Sequence, residues 1–407
     1  MKTMKNQTCS LILLMAATAA ARADEVPGFL AAVRDGTPAV NIRLRAEYGD
    51  EDGKASSTAL TGRIRLGYTT GVWEGFSAGV EFEATRAVDT GDYNAAGVTG
   101  NPDRTVIADP PSTELNQAFL RYSALGATAT LGRQRIVLDN ARFVGDVGWR
   151  QNNQTFDAAS LAFRSGEDFH FFYSYVDGVN RIFGSRASGI QARLDSESHL
   201  INLRYTGLPF GTVGVYAYLL EFENAPRLSA DTFGAFLDGR MEAGEGKAVA
   251  YRVEAATQRD NSASAVEGSA MYFAASGVFH FGTSFAGLGY ERLEADTDGD
   301  SSFAFSTPLA TLHIFNGWAD KFLATPANGL EDINVRASVL LPLNTRFTAI
   351  HHWFSATETS DTYGRELNLL LSKPVGPAVF LAKYANYRAE DLHQDTERIT
   401  LEVNFAF

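Results

Sequence analysis

Residues 398–407 read RITLEVNFAF: Ile399, Leu401, Val403, Phe405 and Phe407 alternate strictly with Arg398, Thr400, Glu402, Asn404 and Ala406. Successive side chains of a strand point to opposite faces, so this is one strand with an apolar and a polar face, ending on an aromatic residue. A soluble sheet can end the same way. The rest of the chain decides between the two.

The same rhythm starts early. Val40, Ile42, Leu44, Ala46 and Tyr48 interleave with Asn41, Arg43, Arg45 and Glu47, and Leu60, Ile64, Leu66 and Tyr68 with Thr61, Arg63 and Arg65. Phe76, Ala78, Val80 and Phe82 alternate with Ser77, Gly79, Glu81 and Glu83. Further copies centre near Leu120, Leu131, Leu161, Phe171, Leu203, Val215, Ala235, Tyr251, Phe273, Leu288, Val339, Phe347, Leu369 and Ala382, about eighteen in all. The segment around Ala235 has the weakest pattern, and removing it with one neighbour leaves sixteen. Either even number suits an all-β, antiparallel transmembrane β-barrel.

Connection lengths test this independently, because such barrels alternate short periplasmic turns with longer outer loops. Residues 70–75, 123–126, 165–167, 207–211, 239–247, 280–282, 342–344 and 374–377 are short. Between them fall long stretches, notably 86–113, 137–156, 177–198 and 294–332. With both termini periplasmic the count closes.

The N-terminus supplies the export route. Lys2 and Lys5 precede an apolar run from Leu11 to Ala20, then Ala21-Arg22-Ala23 before Asp24, the layout of a secretory signal peptide cleaved after Ala23. Residues 24–39 are expected to be a periplasmic leader and 40–407 the barrel, located in the bacterial outer membrane. No segment has the roughly 20 uninterrupted apolar residues of a membrane-spanning helix. The one cysteine, Cys9, lies within the signal, so no disulfide framework is expected in the mature chain. A slightly negative mean hydropathy does not oppose a barrel, since alternating strands average out. The formal charge of −13 argues against nucleic acid as a partner.

If the apolar set of each strand faces lipid, Arg43, Arg45, Arg63, Arg65, Arg121, Arg164, Arg204, Arg252, Arg336, Lys383 and Arg398 point into the lumen. The inward acids are Glu47, Glu81, Glu83, Glu254, Glu366 and Glu402, while other acids gather in loops such as Asp50-Glu51-Asp52 and Glu390-Asp391. Guanidinium groups stay charged and bind carboxylates bidentately, so one reading is a pore favouring anionic small molecules or polysaccharides. The other is that these arginines pair with the inward glutamates and only fill the wall.

Two loops carry unusual chemistry. Residues 137–156, VLDNARFVGDVGWRQNNQTF, hold Asp139, Arg142, Asp146, Trp149 and Arg150; residues 307–332, TPLATLHIFNGWADKFLATPANGLED, hold His313, Trp318, Asp320 and Lys321. Long structured loops are commonly functional, and in a barrel they either fold inward to narrow the pore or pack on the rim.

Other motifs are weaker. Gly75-Phe76-Ser77-Ala78-Gly79 matches the nucleophile-elbow string but opens an alternating strand instead of a strand-to-helix turn, so no enzyme is expected. Neighbouring His351 and His352 face opposite sides of a strand and share no metal readily. Asp296, Asp298 and Asp300 resemble a calcium loop without its closing glutamate, a candidate surface cation site; no other cofactor is expected.

The C-terminal strand with Phe407 resembles the signal by which bacterial outer-membrane barrels are recognised for assembly. GRQR at 132–135, RFVGDVGWRQNNQTFDA at 142–158 and HIFNGWADKFLATPANGLED at 313–332 resemble segments of the alginate-export family. That resemblance implies an eighteen-stranded monomeric barrel in contact with outer-membrane lipid and lipopolysaccharide. It also implies an arginine-lined pore, since the family's eponymous member exports an anionic polysaccharide. Strand parity aims Arg133 and Arg135 outward, so a pore role for GRQR needs a bulge or a position above the bilayer. A pore, a lipid-acting barrel enzyme and a plugged structural or adhesive barrel remain the competing classes; conductance and lipase assays separate them.

Overall fold

A computed structural model describes residues 26–299 and 302–407; the expected signal peptide and Asp300 lie outside them. Helix α1 (Val26–Arg34) leads into β1 (Thr37–Glu51). The chain continues through β2 (Ser57–Thr69), β3 (Phe76–Ala87), β4 (Ser112–Ala124), β5 (Ala127–Gln134), β6 (Thr155–Ser165), β7 (Phe169–Asn180), β8 (Arg193–Leu208), β9 (Gly211–Leu220) and β10 (Ala230–Glu242). Next come β11 (Lys247–Arg259), β12 (Ser269–Phe281), β13 (Ser284–Leu293) and a small ribbon of β14 (Ala295–Asp296) and β15 (Phe303–Ala304). The last strands are β16 (Leu330–Leu341), β17 (Thr345–Ser355), β18 (Thr362–Val375), β19 (Ala378–Ala389) and β20 (Thr396–Ala406).

All strands except the ribbon form one eighteen-stranded sheet. Each pairs antiparallel with its neighbour in sequence, and β1 pairs with β20, Ala46 opposite Leu401, to close the barrel. The weak segment around Ala235 is a full strand, β10, so the count of sixteen is excluded. Within the stretch 24–39 expected to be a leader lies α1, and β1 already begins at Thr37.

Alternation fixes what each face meets. Leu44, Leu60, Leu66, Phe82 and Leu401 stand exposed on the outside, whereas Arg45, Glu47, Arg63, Glu83 and Thr400 are buried inside. Phe169, Tyr205, Phe281 and Phe407 ring the short-turn end, and Phe273 and Trp353 lie towards the long-loop end, as interfacial aromatic girdles do. Inside the barrel, towards the long loops, lies an apolar core: Tyr216, Tyr218, Tyr272, Phe354 and Tyr387 from the wall meet Phe143, Phe305, Leu309 and Phe322 from the loops. The barrel is therefore filled at its outer end by its own connections.

Leu401 sits mid-strand on the outer face and is 56% exposed, whereas Leu125 is 99% exposed in the short β4–β5 turn. Leu401→Arg should destabilise the barrel by about 2–4 kcal/mol and Leu125→Arg by at most about 1 kcal/mol. Urea titrations of folding into phospholipid vesicles measure both; equal costs would mean that the wall does not face lipid.

Candidate functional site

Arg43 and Arg45 on β1 sit beside Arg63 and Arg65 on β2, because register pairs Arg43 with Arg63. Four like charges on one patch of wall repel unless they are compensated. The compensation comes from the segment 135–154, which enters the lumen and lays its backbone across the patch. Arg43 donates to the carbonyls of Gly148, Trp149 and Arg150 at 3.1–3.2 Å. Arg63 and Arg65 donate to the Gln151 carbonyl at 3.0 and 3.2 Å. Arg45 pairs with Glu402 at 2.6 Å and Asp109 at 3.0 Å, its guanidinium 4.2 Å from the Trp149 ring centre. Arg65 also pairs with Glu83. Arg45 is 1% exposed. All four face inward, and the loop covers them.

Arg150 joins the two loops. It pairs with Glu47 on β1 at 3.3 Å and with Asp320, from the segment 305–329, at 2.5 Å. Asp320 also meets His313 Nδ1 at 2.6 Å, while His313 Nε2 contacts the Lys383 ammonium from β19. An ammonium only donates, so Nε2 accepts and Nδ1–H donates to Asp320, the neutral imidazole. Burial, with the cations of Lys383 and Arg150 adding to it, holds the His313 pKa down at about 3 despite Asp320. Burial alone would raise Asp320, but the His313 contact and the charges of Arg150 and Arg398 outweigh it and lower its pKa. Trp149 stacks on His313 with ring centres 4.6 Å apart, and Lys383 lies 4.0 and 3.9 Å from the ring centres of Trp149 and Trp318. Arg398 on β20 donates to the Ala319 carbonyl at 3.0 Å, and Glu366 on β18 accepts from the Trp318 and Ala319 amides.

A second knot ties the loops to the opposite wall. Arg142 pairs with Glu291 on β13 at 2.6 Å and donates to Thr307 at 2.8 Å; Asn316 donates to Glu291 and Asp332. Next to it Phe143 packs 5.0 and 5.3 Å from the rings of Tyr216 and Tyr272. Asp139 accepts from Asn202 at 2.6 Å and lies 4.0 Å from Arg204. Lys321 reaches the outer rim at Glu51, 3.4 Å away.

Towards the short turns the inward arginines are covered less completely. Arg164 is exposed; the Arg204 side chain, though 4.0 Å from Asp139, is 42% exposed; Arg336 is half-buried, its Nε buried without a hydrogen-bond partner. Arg121 is partly buried against Phe119. Arg252 is the most fully compensated of them, held by Asp238 at 2.8 Å and Glu254 at 2.9 Å.

The remaining motifs fall elsewhere. Arg133, with Arg193, grips Asp157, whose β6 parity is outward, and Arg135 reaches Asp146 at 3.7 Å. Ser77 lies in regular β3 opposite Arg121, with no strand-to-helix turn. His352 is buried on Asp332 and His351 packs outside against Trp353. The Asp296 carboxylate accepts the amides of Ser269 and Asp298. Asp109 was missed by sequence reasoning. It accepts from Arg45 and from the Gln151 amide, and its only signal was an acid placed just before Pro110-Pro111 at the return of a long loop.

Comparison with known proteins agrees with the architecture. Acinetobacter baumannii OccAB4 superposes with a TM-score of 0.71 at 13% identity, over 91% of this chain and 98% of that one. Pseudomonas aeruginosa OccK3 (OpdO) gives 0.69 at 14% over 93% and 98%, and P. aeruginosa OpdK, solved with vanillate, 0.69 at 14% over 92% and 99%. At such identity the likeness is one of fold. No curated protein matches the chain. The alginate export family model matches residues 39–403, nearly the whole described barrel, and the chain belongs to that family.

Proposed function

We propose that this barrel conducts solutes across the outer membrane, favours anionic, carboxylate-bearing ones, and has its bore set by the segments 135–154 and 305–329. The observation that carries the preference is the short-turn half of the lumen, where Arg164 is exposed and the Arg204 side chain stays 42% exposed beside Asp139. In a confined passage with low-dielectric walls, a few uncompensated cations enrich anions. Family membership agrees with this reading, as does the vanillate bound to OpdK, a carboxylate. The exposed Phe407, stacked on Phe405, is free to serve as the handle for barrel assembly.

Reversal potentials in a salt gradient test the preference. Arg164→Glu with Arg204→Glu should move the pore towards cations with the barrel intact. Replacing Arg43, Arg45, Arg63 and Arg65 by Glu should instead release the loop and raise conductance, since their charge is already compensated. A native pore without anion preference would leave a general porin.

Deleting residues 312–328 removes His313, Trp318 and Asp320 together and should raise single-channel conductance severalfold in a barrel that still shifts on unheated gels. Unchanged conductance would return the segment to the rim.

The His313 contact also fixes a pH dependence. A released loop binds a proton near pH 6.5 that the docked imidazole refuses down to about 3, so docking is fully present above 6.5 and is lost as pH falls through that window. Asp320, held down by its cations, acts in the same direction at still lower pH. Open-channel noise should therefore grow on acidification below about pH 6.5, and His313→Gln should flatten the response down to the carboxylate range.

A further inference from the structure

Helix α1 has the sequence VPGFLAAVR. It is not packed in the barrel; it is fastened to the rim from outside. The Tyr68 phenol, which by β2 parity stands on the lipid side, donates to the Val33 carbonyl and accepts from the Gly36 amide at 3.0 Å. The Gly71 amide, in the β2–β3 turn, donates to the Ala32 carbonyl at 2.8 Å. Phe29 meets Trp73 of the same turn edge-on with ring centres 5.6 Å apart. Gly36 is required there, because a Cβ would run into the Tyr68 phenol and the Thr69 carbonyl.

This latch buries Ala32 and leaves Phe29, Leu30 and Val33 exposed, with Val72 of the adjacent turn exposed to 71%. Positions 29, 30 and 33 share one helical face. A nine-residue helix is too short to hold itself in water, and three large apolar side chains turned outward on it need a partner. The partner follows from position. Tyr68, which carries the helix, continues the outward row of Ile64 and Leu66, so the exposed face runs on from the lipid-facing belt at the periplasmic rim.

We infer that α1 is an interfacial helix that lies in the periplasmic leaflet beside the barrel wall, with Phe29, Leu30, Val33 and Val72 set among phospholipid chains. Helices of this kind sit about 5–10 Å into the headgroup and acyl boundary. Fastened at β2 and the β2–β3 turn, α1 gives the barrel a flat element parallel to the membrane plane, where the strands only cross it.

The test uses the full chain in a Cys9→Ser background, with Leu30→Cys or, as control, Leu401→Cys labelled by an environment-sensitive fluorophore. The protein is reconstituted into vesicles of phosphatidylethanolamine and phosphatidylglycerol. The label at 30 should be blue-shifted relative to water, shielded from aqueous iodide, and quenched more by lipids brominated high on the chain than deep. The label at 401 should show the opposite depth preference. Quenching at 30 by iodide and not by lipid would put the face in water, and quenching by neither would mean that a second copy or another protein covers it; each overturns the inference. Loss of lipid quenching at 401 would instead overturn the membrane barrel on which the inference rests.

Discussion

In lipid a backbone amide or carbonyl has no water to turn to, and leaving either unpaired costs several kcal/mol. The pairing of β1 with β20 removes the last two free edges of the sheet, so every strand has two neighbours. The rest follows from that closure. Once the ring is shut, strict alternation sends half of each strand outward to hydrocarbon and half inward, and all the polarity of the wall must go inward. A barrel this wide cannot fill its interior with wall side chains alone. Charge and space inside then require something to enter, and the long connections are the part of the chain able to do so.

What enters is held by charge compensation more than by area. Arg43 and Arg63 bring cations side by side, and backbone carbonyls at 148–151 with Glu402, Asp109 and Glu83 answer them. A buried ion pair adds little net stability, but removing one partner costs about 3–5 kcal/mol, so such networks fix geometry. The backbone agrees: Asp139, Ala141, Val147, Asn316 and Asp320 all have positive φ without being glycine. A left-handed conformation is most costly for β-branched Val147, and it persists where surrounding contacts over-determine it. Both loops are therefore shaped by the lumen they occupy.

The strand pattern was legible nearly to the residue because period-2 alternation is the direct imprint of a two-sided wall. Its one faint copy has a physical cause. On β10, Gly234 takes an inward position because a Cβ there would overlap the Tyr216 ring, just as Gly214 on β9 makes room for Phe236. Glycine opposite an aromatic packs well and erases the polar half of the rhythm. Parity also gave the direction of the wall arginines. It could not give their surroundings, because which arginine is covered depends on how a loop docks, and docking here joins Arg150 to Asp320 across 170 residues of sequence. Helix α1 was illegible for a related reason: what holds it is Tyr68 and a turn far along the chain, not a local pattern.

The division of the lumen follows from the same logic. Loops enter only from the long-connection side, so they reach and neutralise the outer and middle wall and, beyond the contact of Asp139 with Arg204, leave the far end to tight turns such as the one holding Leu125 and Gly126. An acidic protein can thus keep its surface loops negative, compensate its mid-wall cations internally, and still leave Arg164 and much of the Arg204 side chain exposed towards the short turns. Net charge is silent about selectivity in such a molecule. The sign that a solute meets is set by which side chains the loops fail to reach.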